Sequence, residues 1–215
     1  VIDKVVNCFR VPIYGTAASD DDDLLQVAHH LGEYIDNDED GVADNGLVHR
    51  SVVANNSFIL VFKDQDEFET LNTAGEIPAI YQNAFNVALI MGDKIRLKQR
   101  RGKLDQSRAL TLKLWLRAGY SSVTDYEEIF GELEGTVIEK FMLAAKDDVW
   151  MFGNVAIDKP GWFHVDSTSV PRLVSEYFFY VMGSRLGLFD FSGGGRTIRA
   201  DCDLDTEQKL RGGDI

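Results

Sequence analysis

Apolar residues recur at intervals of three and four along residues 20–35, the spacing that places them on one face of an amphipathic helix. The residues in this register are Leu24, Ala28, Leu31 and Ile35. Ser19 stands at the N-cap position, and four consecutive aspartates, Asp20 to Asp23, fill the first turn, where the helix dipole favours negative charge. This pattern predicts a helix over residues 20–35.

The hydrophobic pattern changes its period several times after this helix. Residues 46–55 predict a second short helix, and the apolar run 57–63 has the length and the aromatic and branched composition of a buried strand. Residues 87–91 predict another strand, and alternating apolar and basic residues predict an edge strand over 94–103. Helical periodicity returns in four segments: 66–72, 105–118, 126–146 and 171–186.

Glycines mark the ends of the later helices and help to define the fold class. Gly119 is placed to cap the helix at 105–118, and Gly131 and Gly135 interrupt the next helical segment. Many helices with few strands predict an α+β fold, mostly helical with a small sheet. With 215 residues, 45% of them hydrophobic, the chain can bury a full core, and a single globular domain over residues 1–215 is expected.

The charge is acidic and concentrated near the start of the chain. The sequence has 35 acidic and 22 basic residues, a net charge of −13, and residues 1–48 hold eleven acids against Lys4 and Arg10. This balance argues against bulk binding to nucleic acid. The exception is the basic segment 94–103, which is most simply a solvated edge strand and otherwise a contact for phosphate, sulfate or an acidic partner.

The two ends of the chain bear on its cellular setting. No apolar run approaches the roughly 18 residues that a transmembrane helix needs. The chain begins at Val1 without methionine, which fits a mature secreted protein whose signal peptide has been removed, or a trimmed chain. Cys8 and Cys202 lie near opposite ends, where one disulfide would tie the termini together, and two buried free thiols are the alternative. A secreted, extracellular location is the expectation.

The stretch from Asp36 to Asp44 contains the clearest chemistry in the chain. Its sequence, DNDEDGVAD, matches D-x-D-x-D-G-x-x-D, in which alternate side chains converge on a hard cation while the glycine makes a sharp turn. Ligands that are all oxygen select calcium or magnesium. The ligands expected from this register are Asp36, Asp38 and Asp40 through their carboxylates, Val42 through its carbonyl oxygen, and Asp44 directly or through water.

This loop resembles the calcium loops of EF-hands, dockerins and thrombospondin type 3 repeats, over residues 36–44 and the flanking helices. The resemblance implies an EF-hand-like helix-loop-helix segment at 20–55 with a bound Ca²⁺. The twelfth position, where those families have an acidic ligand, is Leu47. We therefore expect a single site of modest affinity, on the order of 10⁻⁴ M, completed by water or a distant carboxylate. Such an ion stabilises the protein rather than switching it.

The histidines of the first helix offer an alternative metal site. His29 and His30 stand four and three positions before Glu33, spacings that can share a metal. The remaining histidines available as third ligands are His49 and His164. No H-E-x-x-H sequence is present, so exposed or capping histidines are the default interpretation.

A hydrolytic site is the alternative interpretation for the second half of the chain. His164, Asp166, Ser167 and Glu176 lie close in sequence near Trp162. Glu176 stands on an apolar helix face and is the best single candidate for a functional carboxylate. These residues are not accompanied by a G-x-S-x-G, catalytic-cysteine, P-loop or dinucleotide-binding motif.

Three stretches also give a resemblance over the whole chain. They are DNDEDGVADN at 36–45, GELEG at 131–135 and SEYFFYVMGSRLG at 175–187, and they are similar to those of a loosely defined group of uncharacterised secreted proteins. That group has two histidines on its central helix, where this chain has Lys113 and Arg117. The resemblance implies that a metal site of the group is absent here, which favours a role other than catalysis.

These observations lead to two functional expectations from different classes. The first is a secreted, calcium-stabilised protein that acts by binding a protein or glycan partner, in a toxin, adhesion or matrix role. The second is a calcium-dependent secreted hydrolase with a site near His164 and Glu176. Tightly bound zinc, or a pocket joining these two residues, would favour the hydrolase.

Overall fold

The chain forms two compact units, Val1–Arg100 with Leu104–Val123, and Arg101–Lys103 with Thr124–Ile215. The structure, a computed structural model, describes residues 1–82, 84–95, 105–146, 149–152, 155–158, 169–186 and 188. Across the described residues, helices predominate over a small four-stranded sheet and a two-stranded sheet, which confirms the predicted α+β class. The single domain expected over residues 1–215 stays a prediction.

A four-stranded mixed sheet is the frame of the first unit. Its strands, in spatial order, are β1 (Ile2–Cys8), β2 (Val11–Thr16), β3 (Phe58–Phe62) and β4 (Val87–Met91). β1 and β2 form an antiparallel hairpin, whereas β2, β3 and β4 run parallel. The strands predicted at 57–63 and 87–91 are confirmed, and the β1–β2 hairpin is an element that the hydrophobic pattern did not predict.

The first unit also contains four helices that the periodicity predicted. They are α1 (Asp21–Ile35), α2 (Gly46–Ala54), α3 (Gln65–Thr73) and α4 (Gln106–Leu114). Each begins within one residue of a predicted helix. Short helical turns lie at Ala79–Gln82, Gly92–Lys94 and Tyr120–Ser122, and α4 continues into a π-helical turn at Trp115–Gly119. The turn at Gly92–Lys94 occupies the start of the predicted edge strand, and 96–103 lies outside the described residues.

One face of the sheet is covered by α1. Ile13 of β2 stands beside Ile59 of β3, and both side chains are fully buried. Leu24 of α1 packs against Gly15 of β2, since a Cβ at this glycine would lie 2.9 Å from the leucine Cδ1. The glycine therefore allows α1 to approach β2 closely.

The opposite face is covered by α3 and the chain that follows it. Its buried cluster contains Leu60, Phe62, Ile77 and Met91. The partly buried hydrophobic residues packed against this cluster are Tyr14, Phe58, Phe68, Leu71, Tyr81 and Leu89. Because Phe68 and Leu71 belong to α3, the connection after β3 leaves the sheet on the face opposite α1.

The start of α1 corrects the predicted N-cap. Asp20, not Ser19, is the N-cap, and its carboxylate accepts the N–H of Asp22 at 3.1 Å. Ser19 instead donates its hydroxyl to the carbonyl oxygen of Val61 at 2.7 Å, which ties the start of α1 to β3. The aspartate run occupies the first turn, as predicted.

The second unit contains α5 (Glu127–Phe130), α6 (Val137–Lys146), β5 (Val149–Phe152), β6 (Val155–Asp158) and α7 (Val170–Arg185). The interrupted helix at 126–146 and the helix at 171–186 are confirmed. β5 and β6 pair antiparallel, in a region for which no strand was predicted. The rings of Phe130 and Phe178 stack at 5.1 Å. In the part of the chain that the structure describes, no helix is long and apolar enough to cross a membrane.

Candidate metal centre

The acidic loop, residues 36–44, connects the end of α1 to the start of α2. Asp36 donates its N–H to the carbonyl oxygen of Gly32 at 2.8 Å and so continues α1 to the loop. Asn45 begins α2, because its side chain accepts the N–H groups of Leu47 and Val48 at 3.2 Å. The helix-loop-helix order expected at 20–55 is therefore present.

Three of the predicted ligands converge in this loop. The carboxylates of Asp36, Asp38 and Asp40 each offer an oxygen, and these oxygens lie within 4.8 Å of one another. Asp36 is buried, with 7% of its surface exposed, whereas Asp38 and Asp40 are exposed. This group can hold a metal ion, because each ionised carboxylate has lone pairs to spare beyond one or two hydrogen bonds.

The backbone of the loop orients these carboxylates. Asp36 accepts the N–H of Gly41 at 2.8 Å on one oxygen and that of Asp40 at 3.1 Å on the other. Asp40 accepts the N–H of Val42 at 2.8 Å. Gly41 has a φ of 84° and Glu39 a φ of 60°, so the chain turns through the left-handed region twice within three residues. The glycine of the motif stands where this turn requires it.

The negative charge in the loop affects the pKa of the Asp38 carboxyl. The N–H of Asp40 donates to Asp38 at 3.4 Å, and this bond lowers the pKa of the Asp38 carboxyl. The negative charges of Asp40 and Asp44 and the contact with Asp36 act against it, and the pKa of Asp38 is raised overall. The loop therefore holds more negative charge than its own N–H groups neutralise.

Asp44, a fourth predicted ligand, is not part of this group of three, and coordination by the carbonyl oxygen of Val42 stays a prediction. The Asp44 carboxylate accepts the N–H of Asn37 at 2.8 Å, and the Asp44 N–H donates to the carbonyl oxygen of Ile35 at 2.8 Å, so Asp44 closes the base of the loop. Val42 is 66% exposed. Leu47, at the twelfth position, lies in the first turn of α2.

An open groove of 450 Å³ adjoins the acidic loop. Its lining includes Asp36 and Gly41 of the loop, together with Phe9, His29 and Glu33. The carboxylate group is therefore open to water and to ions.

The histidines proposed as an alternative metal site have different partners, although the rings of His29 and His30 lie 5.7 Å apart. His29 is exposed and lies 3.6 Å from Glu33, while His30 is buried and contacts α4. His49 contacts the carbonyl oxygen of Phe9 through Nε2 at 2.7 Å. Among the described residues, Asp36, Asp38 and Asp40 form the one group of three whose ligand atoms lie close enough for a metal. His164 lies outside those residues.

Cys8 is a free thiol in this structure, contrary to the expected disulfide. Its Sγ contacts the carbonyl oxygen of Ala28 at 3.3 Å, and burial raises the pKa of the thiol to about 11. Cys202 lies outside the described residues. The free-thiol alternative therefore fits Cys8.

Most of the residues proposed for a hydrolytic site lie outside the described part of the chain. They are Trp162, His164, Asp166 and Ser167. Glu176 lies on α7 and is half-buried, next to the buried Tyr177 and Phe178. The hydrolase expectation stays a prediction.

The structure contains a second polar cluster that the sequence did not predict. This histidine network consists of Gln26, His30, Ser107 and Asp105. Gln26 Nε2 lies 2.9 Å from His30 Nε2, and His30 Nδ1 lies 2.7 Å from Ser107 Oγ. Ser107 donates its hydroxyl to Asp105 at 2.6 Å. The amide of Gln26 donates to Nε2, so the proton of the neutral ring lies on Nδ1 and is donated to Ser107.

The histidine network links α1 to α4 in a buried environment. Ser107 is fully buried and His30 is 4% exposed. Burial lowers the pKa of His30 to about 4; Glu33 raises it, and Arg108 and His29 lower it further. Nearby, Tyr34 donates to the carbonyl oxygen of Arg108 at 3.1 Å, and burial raises its pKa to about 12. Asp105 and Ser107 are 75 or more residues from His30 in sequence, so no local motif marks them.

The comparisons with known proteins give no relative for this chain. No protein-family model matches it, and neither a curated protein nor a solved structure matches it with significance.

Proposed function

We propose that the acidic loop binds Ca²⁺ through Asp36, Asp38 and Asp40 and that the bound ion stabilises the first unit. The observation that carries this proposal is the convergence of the three carboxylates within 4.8 Å at the turn made by Gly41. Like charges at such distances repel one another, and a divalent cation converts this repulsion into attraction. The raised pKa of Asp38 supports the same reasoning.

Calcium suits the loop better than the other biological divalent cations. The donors are all oxygen, which disfavours zinc, copper and other metals that prefer nitrogen or sulfur. Ca²⁺ accepts six to eight oxygens in a flexible arrangement, whereas Mg²⁺ needs a near-ideal octahedron. An open loop with three carboxylates, backbone carbonyls and water provides the first kind of site.

The ion has a structural role in this proposal. Leu47 supplies no carboxylate at the position that closes the loop, so water or a distant carboxylate completes the coordination and the affinity is modest, on the order of 10⁻⁴ M. Sites of this strength fill in extracellular calcium. We therefore extend the proposal to a secreted protein that acts by binding a protein or glycan partner, in a toxin, adhesion or matrix role.

Thermal and denaturant unfolding with calcium and with a chelator test the proposal. Because the ion binds only the folded loop, calcium at a hundred times its dissociation constant should stabilise the protein by about 2.7 kcal/mol. Asp40→Asn should abolish most of this gain. Asp22→Asn is the matched control, since Asp22 is an exposed aspartate outside the loop, and it should retain the gain.

Two variants at Leu47 make the test more specific. Leu47→Glu adds the missing carboxylate in the first turn of α2, where the helix dipole also favours it, and should tighten calcium binding by about tenfold. Leu47→Gln should not. Identical unfolding in calcium and in chelator, for the wild type and for Leu47→Glu, would overturn the proposal, and equal stabilisation by magnesium would overturn its assignment to calcium.

A further inference from the structure

The 450 Å³ groove beside the acidic loop is lined by more than the loop itself. Four of its lining residues belong to the loop, and three, His29, Gly32 and Glu33, belong to the last turns of α1. The remaining one is Phe9, from the turn between β1 and β2. All of them lie in the first unit, and none stands at an end of the sequence. The groove therefore places an aromatic ring beside a cluster of oxygen ligands.

Contacts with α1 and α2, the helices that flank the acidic loop, hold the turn that carries Phe9. On the α1 side, the Sγ of Cys8 contacts the carbonyl oxygen of Ala28 at 3.3 Å. On the α2 side, His49 donates its Nε2–H to the carbonyl oxygen of Phe9 at 2.7 Å. The rings of these two residues also meet edge to face, with centroids 6.2 Å apart. Phe9 is half-buried, so part of its ring remains accessible from the groove.

Phenylalanine is an unfavourable residue for this turn. Phe9 has a φ of 47° and Arg10 a φ of 68°, and two-residue hairpin turns with both φ values positive favour asparagine and glycine. A bulky residue in the left-handed region destabilises the turn. Backbone outliers of this kind cluster at ligand sites. The ring of Phe9 gives the groove an aromatic surface that asparagine would not provide.

A calcium ion in the acidic loop keeps coordination positions that the three carboxylates do not fill. Ca²⁺ takes six to eight oxygens, and the EF-hand loop supplies two of them from a bidentate glutamate at its twelfth position. Here that position is Leu47. Because Asp36 both belongs to the carboxylate group and lines the groove, a ligand in the groove can supply oxygens to the same ion.

The charge of the groove favours a ligand whose oxygens are neutral. Glu33 and Glu39 line it together with Asp36, and the one basic residue in the lining, His29, is exposed and lies 3.6 Å from Glu33. One divalent ion does not neutralise the three carboxylates of the loop and these two glutamates. The remaining negative charge repels carboxylates and phosphates, and the ion itself repels ammonium groups. Hydroxyl oxygens meet neither repulsion.

The geometry points to this groove as a binding site for a neutral sugar. Two neighbouring hydroxyl oxygens of the sugar coordinate the calcium ion, and the C–H face of its ring packs against Phe9. The side-chain amide of Asn37 forms no hydrogen bond within the described residues, and it lines the same groove as a partner for a further hydroxyl. This inference rests on the proposed calcium site and assigns its partner to the glycan class.

Titration of the full chain with three neutral methyl glycosides, followed by ¹H–¹⁵N NMR in calcium and in chelator, tests the inference. The probes are the methyl α-D-pyranosides of glucose, mannose and galactose, which present neighbouring hydroxyls in both trans and cis arrangements. We expect at least one of them to give saturable shifts at the amides of Phe9, Gly32 and Gly41 in calcium, and none to do so in chelator. The methyl glucuronide, the anionic counterpart of the glucoside, should bind more weakly.

Variants in the β1–β2 turn separate the aromatic ring from the fold. Phe9→Asn removes the ring and suits the positive φ, so the hairpin should be retained while sugar affinity falls about tenfold. Arg10→Asn is the matched control, because Arg10 stands in the same turn with positive φ but does not line the groove, and it should leave sugar affinity unchanged. Phe9→Tyr keeps the ring and should keep the affinity.

Leu47→Glu separates this inference from the calcium proposal on which it rests. Its carboxylate takes coordination positions that the sugar would use, so calcium should bind more tightly and the sugar about tenfold more weakly. Stabilisation by calcium without saturable binding of any of the three glycosides would overturn the inference and leave the calcium site intact. Absence of stabilisation by calcium would remove both. Equal sugar binding in calcium and in chelator, tighter binding of the glucuronide than of the glucoside, or an unaltered affinity in Phe9→Asn would also overturn the inference.

Discussion

The acidic loop and the histidine network are two polar clusters that both involve the helix α1. They differ in how far the surrounding protein groups satisfy their polar and charged side chains. In the histidine network each polar side chain meets a protein partner, from Gln26 through His30 and Ser107 to Asp105. In the acidic loop the carboxylates meet backbone N–H groups and one another, and the negative charge exceeds what those groups neutralise. The hydrogen bonds of the histidine network are complete within the protein, whereas the acidic loop has carboxylates that can hold a metal ion.

The pKa shifts of His30 and Asp38 have opposite signs, since the first is lowered and the second is raised. The folded protein disfavours the charged form of both groups, for different physical reasons. Burial disfavours the imidazolium of His30, whereas neighbouring carboxylates disfavour the carboxylate of Asp38. Lowering the pH therefore destabilises the folded protein through protonation of His30. In the ion-free acidic loop, protonation of Asp38 instead relieves the repulsion between carboxylates.

The largest expected effect is the loss of stability through His30 as the pH falls. The pKa of His30 is about 4 in the folded protein against an ordinary value of 6.5, so the unfolded chain takes up the proton first. The stability contributed by the neutral ring is present above pH 6.5 and is lost as the pH falls towards 4, by about 3 kcal/mol in total. Urea denaturation across this range measures the loss.

His30→Gln provides the reference for that measurement. This variant cannot titrate, so the difference in unfolding free energy between it and the wild type should shrink as the pH falls from 6.5 to 4. A difference that stays constant with pH would show that His30 titrates alike in the folded and unfolded states.

Ser107→Ala breaks the middle of the histidine network and should have the next largest effect. It leaves the Nδ1–H of the buried His30 without its acceptor, at a cost of about 2 kcal/mol at neutral pH. Ser122→Ala is the matched control, because Ser122 is a serine that donates to the carbonyl oxygen of Arg117 at 2.7 Å from an exposed position, and it should change stability little. If Ser107→Ala and Ser122→Ala lower the free energy of unfolding equally, burial of the histidine network adds nothing to stability.

Asp38→Asn should have the smallest effect, and its sign should depend on calcium. In chelator the variant should be slightly more stable than the wild type at neutral pH, since it removes the repulsion that raises the pKa of Asp38. This advantage should vanish below the pKa of Asp38, where the wild-type carboxyl is also neutral. In calcium the wild type should become the more stable protein. Equal stabilisation of both by calcium would remove Asp38 from the ion site.

The acidic loop was predictable because its chemistry is contiguous in sequence. The motif spans only six residues, from Asp36 to Gly41. The structure brings the carboxylates of Asp36, Asp38 and Asp40 together. The histidine network was not predictable, because Ser107 stands 77 residues from His30. Only the packing of α4 on α1 brings them together, and periodicity does not specify which helices pack.

The β1–β2 hairpin was missed for a different physical reason. Two-residue hairpin turns usually contain asparagine, aspartate or glycine, because both positions need positive φ. Here the turn consists of Phe9, with a φ of 47°, and Arg10, with a φ of 68°. β1 also lies at the sheet edge and exposes two apolar residues, Ile2 and Val5, so its sequence lacks a clear alternation of apolar and polar residues.

Asp44 makes the acidic loop structurally self-contained. Its side chain and backbone join the two ends of the loop, through Asn37 and Ile35. The two ends of the loop are therefore held together by short-range bonds. Residues 36–44 act as one block of sequence between α1 and α2, and the positions of its carboxylates are set mainly by contacts within that block.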